Sequence, residues 1–255
     1  MSGHSKWHSI RRSKAILDNK RGAVFTRIAR EITVAVREGG SGDADSNFRL
    51  RMVLQKAKAE NMPADNIDRA IKRGLGTAEG EAADEEIMYE GYGPGGCAIL
   101  VKTYTNNRNR TASEIRSAFT KGGGNFGESG SVAWMFQHRG VIRLAIGKND
   151  PEEMELAAID AGADDVRQDT DEDDNPVLEI YTTFEDWKKV QEAMENAGYQ
   201  TLSSEDVMLP VTTMDLEPAK TLQALKLIDR LDDLDDVQNV YTNLNVSEEV
   251  AAMEQ

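Results

Sequence analysis

The sequence predicts an α+β protein in which an N-terminal three-helix bundle is followed by two ferredoxin-like α+β domains, the second inserted into the first. Three observations indicate this fold. Apolar residues recur at helical spacing before residue 75, and extended apolar strands first appear after residue 85. The elements from residue 138 onward follow the order βαββαβ, which is typical of ferredoxin-like domains. The elements in residues 86–137 and those in the C-terminal tail are each too few to form a domain separately.

Residues 20–75 predict a bundle of helices. Apolar residues recur every three or four positions in 20–38, 47–60 and 63–74, as in amphipathic helices. Gly39-Gly40 follows the first of these segments, and a proline, Pro63, opens the third, where a first-turn proline belongs. We therefore expect a small bundle preceded by a basic arm.

Strands and helices alternate in the rest of the chain. The Gly93-Pro94-Gly95-Gly96 run predicts a turn between two strands, and Gly122-Gly123-Gly124 predicts the end of a helix. The predicted strands are 86–92, 97–104, 131–137, 140–146, 164–168, 177–183, 199–209 and 237–244. The predicted helices are 105–121, 151–161, 185–197 and 218–231.

Connections in ordinary domains are short, so an excursion of about 70 residues between related elements normally indicates an insertion. The middle segment and the tail become a complete α+β domain only when they are combined. The predicted organisation is a basic arm at 1–19, a helical nucleic-acid-binding domain at 20–81, a discontinuous α+β domain at 82–137 plus 210–245, an inserted domain at 138–209, and a tail at 246–255.

Charge is distributed unevenly along the sequence. The whole chain has 30 Lys+Arg and 45 Asp+Glu, a net charge of -15, which would be repelled by phosphate. Residues 1–80 nevertheless hold 16 Lys+Arg and 9 Asp+Glu, whereas residues 141–255 hold 8 and 29. Since the Debye length is about 8 Å at physiological salt, distant acidic residues hardly weaken a basic surface at contact. The N-terminal part therefore remains a candidate for binding nucleic acid.

The candidate contacts fall into three groups. Trp7 lies among cations in the arm, an arrangement that can stack on a base while the cations bind phosphates; the alternative is that Trp7 anchors the arm to its own domain. The first helix carries cations along one face, which either follow a phosphate backbone or are merely solvated. Arg108 and Arg110 open a helix, where an anion is favoured. The candidates are Lys6, Trp7, Arg11, Arg12, Lys14, Lys20, Arg21, Arg27, Arg30, Arg37, Arg108 and Arg110.

Other kinds of chemistry have little support in the sequence. One cysteine, Cys97, lies in an apolar strand, and the histidines lack the spacing of a zinc site. The glycine runs do not match a nucleotide-binding loop. We therefore expect no catalytic residue, no metal and no cofactor. With no long apolar segment and a polar, basic N-terminus, the sequence favours a soluble cytoplasmic protein with no membrane partner.

Four motifs resemble those of the YebC/PmpR family, and the likeness extends over essentially the whole chain. They are Gly3-His4-Ser5-Lys6-Trp7, the Lys20-Arg21-Gly22 to Phe25-Thr26 segment, Tyr89-Glu90-Gly91-Tyr92-Gly93-Pro94-Gly95-Gly96, and Asn106-Asn107-Arg108-Asn109-Arg110-Thr111. The resemblance implies three domains and a probable DNA-binding transcriptional regulator. Mitochondrial relatives in this family are translational activators of cytochrome c oxidase subunit I, and a ribosome-associated role at proline-rich stretches is also implied.

These observations favour a monomeric, non-enzymatic, nucleic-acid-binding regulator of gene expression. The exposed cations are mainly Lys and Arg, so we expect little base specificity, and the partner is either DNA or ribosomal RNA. One alternative is a ribosome-associated translation factor that binds ribosomal RNA and relieves stalls at proline-rich stretches. Its acidic domains would then face the ribosome or basic proteins. The other alternative is a protein-binding adaptor that contacts no nucleic acid.

Overall fold

The computed structural model describes residues 21–76, 84–171 and 174–247. The prediction of an α+β fold with N-terminal helices is confirmed, with two four-stranded sheets. The elements in chain order are α1 (Arg21–Gly39), α2 (Phe48–Ala59), α3 (Ala64–Gly74), β1 (Glu85–Tyr92), β2 (Ala98–Thr105), α4 (Arg108–Lys121), β3 (Asn125–Phe126), β4 (Phe136–Ala145), α5 (Pro151–Ala161), β5 (Asp165–Thr170), β6 (Pro176–Thr183), α6 (Trp187–Asn196), β7 (Thr201–Pro210), α7 (Pro218–Asp232) and β8 (Val237–Thr242).

The chain divides into two compact units. One unit combines the segments up to Phe136 and from Pro210 onward, and the other is formed by Gln137–Leu209. The first unit contains the helical bundle and the sheet with strand order β3-β1-β2-β8. The second contains the sheet with strand order β5-β6-β4-β7. Among the helices of the described residues, none combines the length and the apolar character that a membrane span needs.

The three N-terminal helices enclose an apolar core. Helix α1 supplies Ile28, Ile32 and Val36, against which α2 places Leu50. Gly74 lies within the last turn of α3. An added Cβ there would come within 2.7 Å of the Thr33 carbonyl oxygen and of the Val36 Cβ. The glycine therefore permits the close approach of α3 to α1.

The start of α2 is tied to α1 by one buried side chain. The Asn47 carboxamide accepts a hydrogen bond from the Leu50 N–H at 3.0 Å, as an N-cap does. Its Nδ2 donates to the Ala35 carbonyl at 2.8 Å. Because both ends of this amide are used, Asn47 fixes the beginning of α2 and its distance from α1.

The first sheet packs one face against α4 and α7. All pairings in this sheet are antiparallel, and β8 joins β2 after the long excursion of the chain through the second unit. The core includes Ile99 and Val101 of β2, Phe119 of α4 and Leu227 of α7. Strand β2 is buried along its whole length, and α1 of the bundle contacts it. The bundle and this sheet thus form one unit.

The predicted strand at 131–137 is wrong over most of its length. A 3₁₀ turn occupies Ala133–Met135, and β4 begins only at Phe136. The third strand of the first sheet is instead the short β3, which pairs with the end of β1. The physical reason is that the backbone N–H groups of Val132 and Ala133 donate to the Glu90 carboxylate at 2.7 and 2.8 Å rather than to a neighbouring strand.

The second unit has the strand order of a ferredoxin-like domain. Strand β6 lies between β4 and β5 and is antiparallel to both. Helices α5 and α6 contact each other and bury Met154 and Val190. The Trp187 indole of α6 is buried and donates its Nε1–H to Ser204 of β7 at 2.7 Å.

Glu90 is a buried carboxylate that orders the loop between β3 and β4. Besides Val132 and Ala133, the N–H of Gly130 donates to it, at 2.6 Å. Burial alone would raise the pKa of Glu90, but these three backbone donors lower it below its ordinary value. The recognisable Tyr89–Gly96 motif therefore includes a structural carboxylate.

We expect Glu90→Gln to lower the free energy of unfolding by about 2 kcal/mol, because a charged acceptor is lost and an amide N–H₂ then faces a backbone donor. Urea unfolding at neutral pH measures the loss. Glu128→Gln, in the same loop but exposed, is the matched control and should change stability by less than about 0.5 kcal/mol. Equal stability of the two variants would contradict this role for Glu90.

Candidate nucleic-acid interface

The predicted arm falls outside the described residues, so its contacts with nucleic acid stay a prediction. The predicted contact of Lys20, which precedes α1, also lies outside the described residues. Arg21 is the first residue of α1. The candidates outside the described residues are Lys6, Trp7, Arg11, Arg12, Lys14 and Lys20.

Two candidate arginines of α1 contact the end of α7 and the loop that follows it. Arg27 donates to the backbone carbonyl of Asp232, the last residue of α7, and its guanidinium lies 3.6 Å from the Asp232 carboxylate. Arg30 donates to the carbonyl of Asp235 at 2.5 Å. Free carbonyls at a helix C-terminus carry partial negative charge, so cations are stabilised there. These guanidinium groups therefore hold the bundle against the α+β part of the first unit.

Asp236 collects the strongest polar contacts of this region. Its carboxylate is almost fully buried and lies 2.9 Å from the Arg30 guanidinium. Arg110, at the start of α4, donates to both carboxylate oxygens at 3.0 and 2.7 Å. The hydroxyls of Thr111 and Thr105 donate to it at 2.6 and 3.1 Å. Helices α1 and α4 and strand β2 thus converge on one carboxylate in the loop before β8.

Titration of this cluster follows from its contacts. Burial alone would raise the pKa of Asp236, but the hydrogen bonds from Thr111 and Arg110 and the charges of Arg30 and Arg110 lower it below its ordinary value. The same hydrogen bond and charge raise the pKa of Arg110. Asp236 is therefore ionised at neutral pH, and both arginines are held by it.

Three more arginines of the bundle contact the start of the first sheet. Arg37, another candidate, donates to the carbonyl of Asp84 at 3.3 Å. Arg73 lies 3.6 Å from the Asp84 carboxylate, and Arg49 donates to Glu86 at 2.6 Å. We call this set the arginine interface; it comprises Arg27, Arg30, Arg37, Arg49 and Arg73.

The structure thus gives four of the candidates contacts inside the chain, namely Arg27, Arg30, Arg37 and Arg110. Arg108 differs, because its side chain is about two-thirds exposed. Its one ion pair in the described part of the chain is with Glu85, at 3.3 Å, whose side chain is 45% exposed. Such an exposed pair is worth little and is easily exchanged for another anion. The spacing of charge along α1 was visible in the sequence, but the partners of Arg27 and Arg30 lie some 200 residues later.

A second set of cations was not among the candidates predicted from the sequence. Lys220, Lys226 and Arg230 lie on α7, and Lys121 ends α4. All four line one groove with the Gly93–Gly96 turn. The available signal was the presence of three basic residues on the predicted helix 218–231, within a strongly acidic part of the sequence. Lys121 could not be added, because only the folded chain brings α4 beside α7.

Cys97 lies in the core of the first sheet, where burial raises the pKa of its thiol to about 11. The thiol is therefore protonated and packed among apolar side chains. Within the described ranges, no three His, Cys, Asp or Glu side chains are grouped so that they could hold a metal ion.

Comparison with known proteins adds to this geometry. Two family models match the chain: one described as the TACO1/YebC protein N-terminal domain, over residues 5–77, and one described as the TACO1/YebC second and third domain, over residues 84–244. Proteins from Roseiflexus castenholzii and Herpetosiphon aurantiacus are 52% and 54% identical, and the alignments cover 98% of this chain and 98% and 97% of theirs. Both are named probable transcriptional regulatory proteins.

A solved structure is also similar. The crystal structure of a conserved hypothetical protein from Aquifex aeolicus matches with a TM-score of 0.80 at 40% identity, covering 91% of this chain and 93% of that chain. Its similarity extends over both units described above.

We expect Asp236→Asn to lower the free energy of unfolding by about 3 kcal/mol at neutral pH, because it leaves two arginines facing a neutral group. The loss should depend on pH. The pKa of Asp236 is lowered in the folded state, so its stabilisation is fully present above about pH 4 and is lost as the pH falls through the folded value. Urea unfolding between neutral and acidic pH measures the difference between wild type and variant, which should shrink below about pH 4.

The matched control for this prediction is Asp233→Asn, an exposed aspartate in the same loop. It should change stability by less than about 0.5 kcal/mol and show no comparable pH dependence. A difference between wild type and Asp236→Asn that stays constant to low pH would contradict the assigned ionisation.

Proposed function

The chain belongs to the TACO1/YebC family, and we propose that it is a non-enzymatic, nucleic-acid-binding regulator of gene expression. The observation that carries this proposal is the separation of charge along the sequence. Residues 1–80 hold 16 basic and 9 acidic residues, although the chain as a whole has a net charge of -15. A basic segment of this kind is the electrostatic signature of phosphate binding. The names of the relatives from Roseiflexus castenholzii and Herpetosiphon aurantiacus support a regulatory role.

The contacts that α1 makes inside the chain bear on which segment makes the primary contact with nucleic acid. Since Arg27, Arg30 and Arg37 already bond to groups of the first unit, they are poorly placed to neutralise phosphates at the same time. Most of the remaining basic candidates near the N-terminus are those of the arm. We therefore place the primary contact in the arm, where Trp7 supplies an aromatic ring for stacking and Lys6, Arg11, Arg12, Lys14 and Lys20 supply charge.

A non-enzymatic role is supported by the state of the one nucleophile that the sequence singled out. Cys97 is buried, and the raised pKa of its thiol keeps the thiolate from forming at neutral pH. The conspicuous carboxylates Glu90 and Asp236 are likewise occupied by several hydrogen bonds each. These groups therefore act in holding the fold.

The second candidate function is a ribosome-associated translation factor that binds ribosomal RNA. The arrangement of α1 favours it in one respect. A helix that reads DNA bases in the major groove needs a free side-chain face. The arginine face of α1 is instead directed to Asp232, Asp235 and Asp84 within the chain. Binding through phosphates with little base reading suits a large structured RNA as well as DNA.

We expect the triple variant Lys6→Gln, Arg11→Gln, Arg12→Gln to bind nucleic acid at least about 10-fold more weakly at about 100 mM salt. The slope of log affinity against log salt should fall by about 2 to 3, because each lost phosphate contact contributes about 0.7 for single strands and 0.9 for duplexes. Fluorescence anisotropy with labelled RNA and DNA over a range of KCl concentrations measures both quantities.

The control for the arm removes the same charge elsewhere. Lys148→Gln, Lys188→Gln, Lys189→Gln changes three lysines of the second unit and should leave affinity and slope unchanged. If the arm variant binds as tightly as wild type, the arm is not the primary contact. If wild type binds neither RNA nor DNA, the adaptor alternative replaces the proposed function.

Parallel measurements distinguish DNA from the ribosome as the partner of this protein. For a transcriptional regulator we expect tighter binding to promoter DNA than to a scrambled sequence of equal length. For the ribosomal alternative we expect co-sedimentation with ribosomes that the arm variant loses, with no preference for the promoter. Co-sedimentation that the arm variant retains would point to a protein contact instead.

A further inference from the structure

The groove beside α7 has walls from three parts of the first unit. The Gly93–Gly96 turn forms one side, the end of α4 with Lys121, Gly122 and Gly123 forms another, and α7 forms the third. Its volume is about 660 Å³. That size falls within the range of pockets that enclose bound ligands.

The charge of this groove is opposite to that of the chain. Its lining contains four cations, Lys121, Lys220, Lys226 and Arg230, and no carboxylate. All four side chains are exposed, and none has an ion pair within the described part of the chain. The arginine interface is different, because its guanidinium groups are already bonded to carboxylates and carbonyls. We call the four-cation site the basic groove.

The backbone of the basic groove is open to an incoming group. Gly96 and Gly123 have φ of +86° and +74°, values that favour glycine. A Cβ added at either position would meet nothing within 4 Å, so the backbone there is uncovered. Glycines of this kind allow a ligand to approach the main chain closely. The neighbouring Tyr92 ring also lines the groove, and its hydroxyl is fixed by donation to the Ser131 carbonyl at 2.9 Å.

The spacing of the cations indicates an extended ligand. Lys220, Lys226 and Arg230 are spread over ten residues of α7, which corresponds to roughly 15 Å along the helix axis. A free phosphate ion would contact only one end of this row. A nucleic-acid strand carries one phosphate per nucleotide and would place several of them within that length.

We propose that the basic groove binds successive phosphates of a nucleic-acid strand and is a second contact, separate from the arm. The proposal rests on the proposed function, because it assigns a further surface to the same partner. It accounts for the one unpaired row of cations in the described C-terminal segment of a strongly acidic chain. Contacts of this kind position a strand and do not read its sequence.

Two double variants test the proposal at different parts of the basic groove. Lys226→Gln, Arg230→Gln changes α7, and Lys121→Gln, Lys220→Gln changes the end of α4 together with the start of α7. The control, Lys148→Gln, Lys188→Gln, removes equal charge from the second unit. Each full-length protein is titrated with a short, labelled, mixed-sequence single-stranded RNA between about 50 and 200 mM KCl. Circular dichroism and thermal unfolding verify that the exposed substitutions leave the fold intact.

We expect both groove variants to bind the RNA about 5- to 10-fold more weakly at about 100 mM KCl, with a salt slope lower by about 1.4, the value for two lost phosphate contacts on a single strand. The control should match wild type. Groove variants that keep the affinity and slope of wild type, while the arm variant loses them, would overturn the groove and leave the proposed function standing. A wild type that binds no RNA or DNA would overturn both.

A competition experiment distinguishes a nucleic-acid strand from a free phosphate ion as the ligand of the basic groove. Inorganic phosphate is added at constant ionic strength to the wild-type complex and to the Lys226→Gln, Arg230→Gln complex. We expect no displacement beyond that caused by an equivalent concentration of chloride. Displacement from wild type that is lost in the variant would assign the groove to free phosphate and overturn the proposal.

Discussion

One buried carboxylate, Asp236, determines how the helical bundle meets the first sheet. It receives Arg30 from the bundle, Arg110 and Thr111 from α4, and Thr105 from β2. A buried charge is tolerated only when it is paired and fully hydrogen-bonded, so these partners cannot move independently. The other members of the arginine interface extend this contact to Asp232, Asp84 and Glu86. The bundle, the sheet and α7 consequently behave as one unit.

This arrangement changes the meaning of the basic N-terminal charge. Part of the excess on residues 1–80 is used inside the protein, where acidic groups encoded much later or just after the bundle neutralise it. Charge counted along a sequence therefore overstates the charge that a folded surface presents. Such a count can also hide a local basic surface, since three of the four cations of the basic groove lie in a C-terminal segment that is acidic overall.

The sequence was most informative where local pattern decides structure. Helical spacing located α1, α2 and α3, and turn residues located the β1–β2 hairpin, because both follow from short-range geometry. Prediction failed where a distant group decided the outcome. The segment around Val132 and Ala133 looks extended in sequence, but Glu90 holds it in a turn. The partners of Arg27 and Arg30 are likewise some 200 positions away, and pairwise contacts at that distance cannot be read from one chain. The role of Gly74 in the close packing of α3 on α1 likewise required the structure.

The discontinuous layout of the first unit has a consequence for biosynthesis. Strand β8, helix α7 and Asp236 are translated only after the whole of Gln137–Leu209. During vectorial synthesis the bundle therefore precedes the partners of Arg27 and Arg30, and the β1–β2 hairpin forms while the outer edge of β2 is still unpaired. All strands of the second unit are translated before α7 and β8. That unit can therefore fold before the first unit is complete, as domains generally fold as units. Arg27 and Arg30 of a nascent chain therefore gain these partners only when the segment from α7 to β8 has been added.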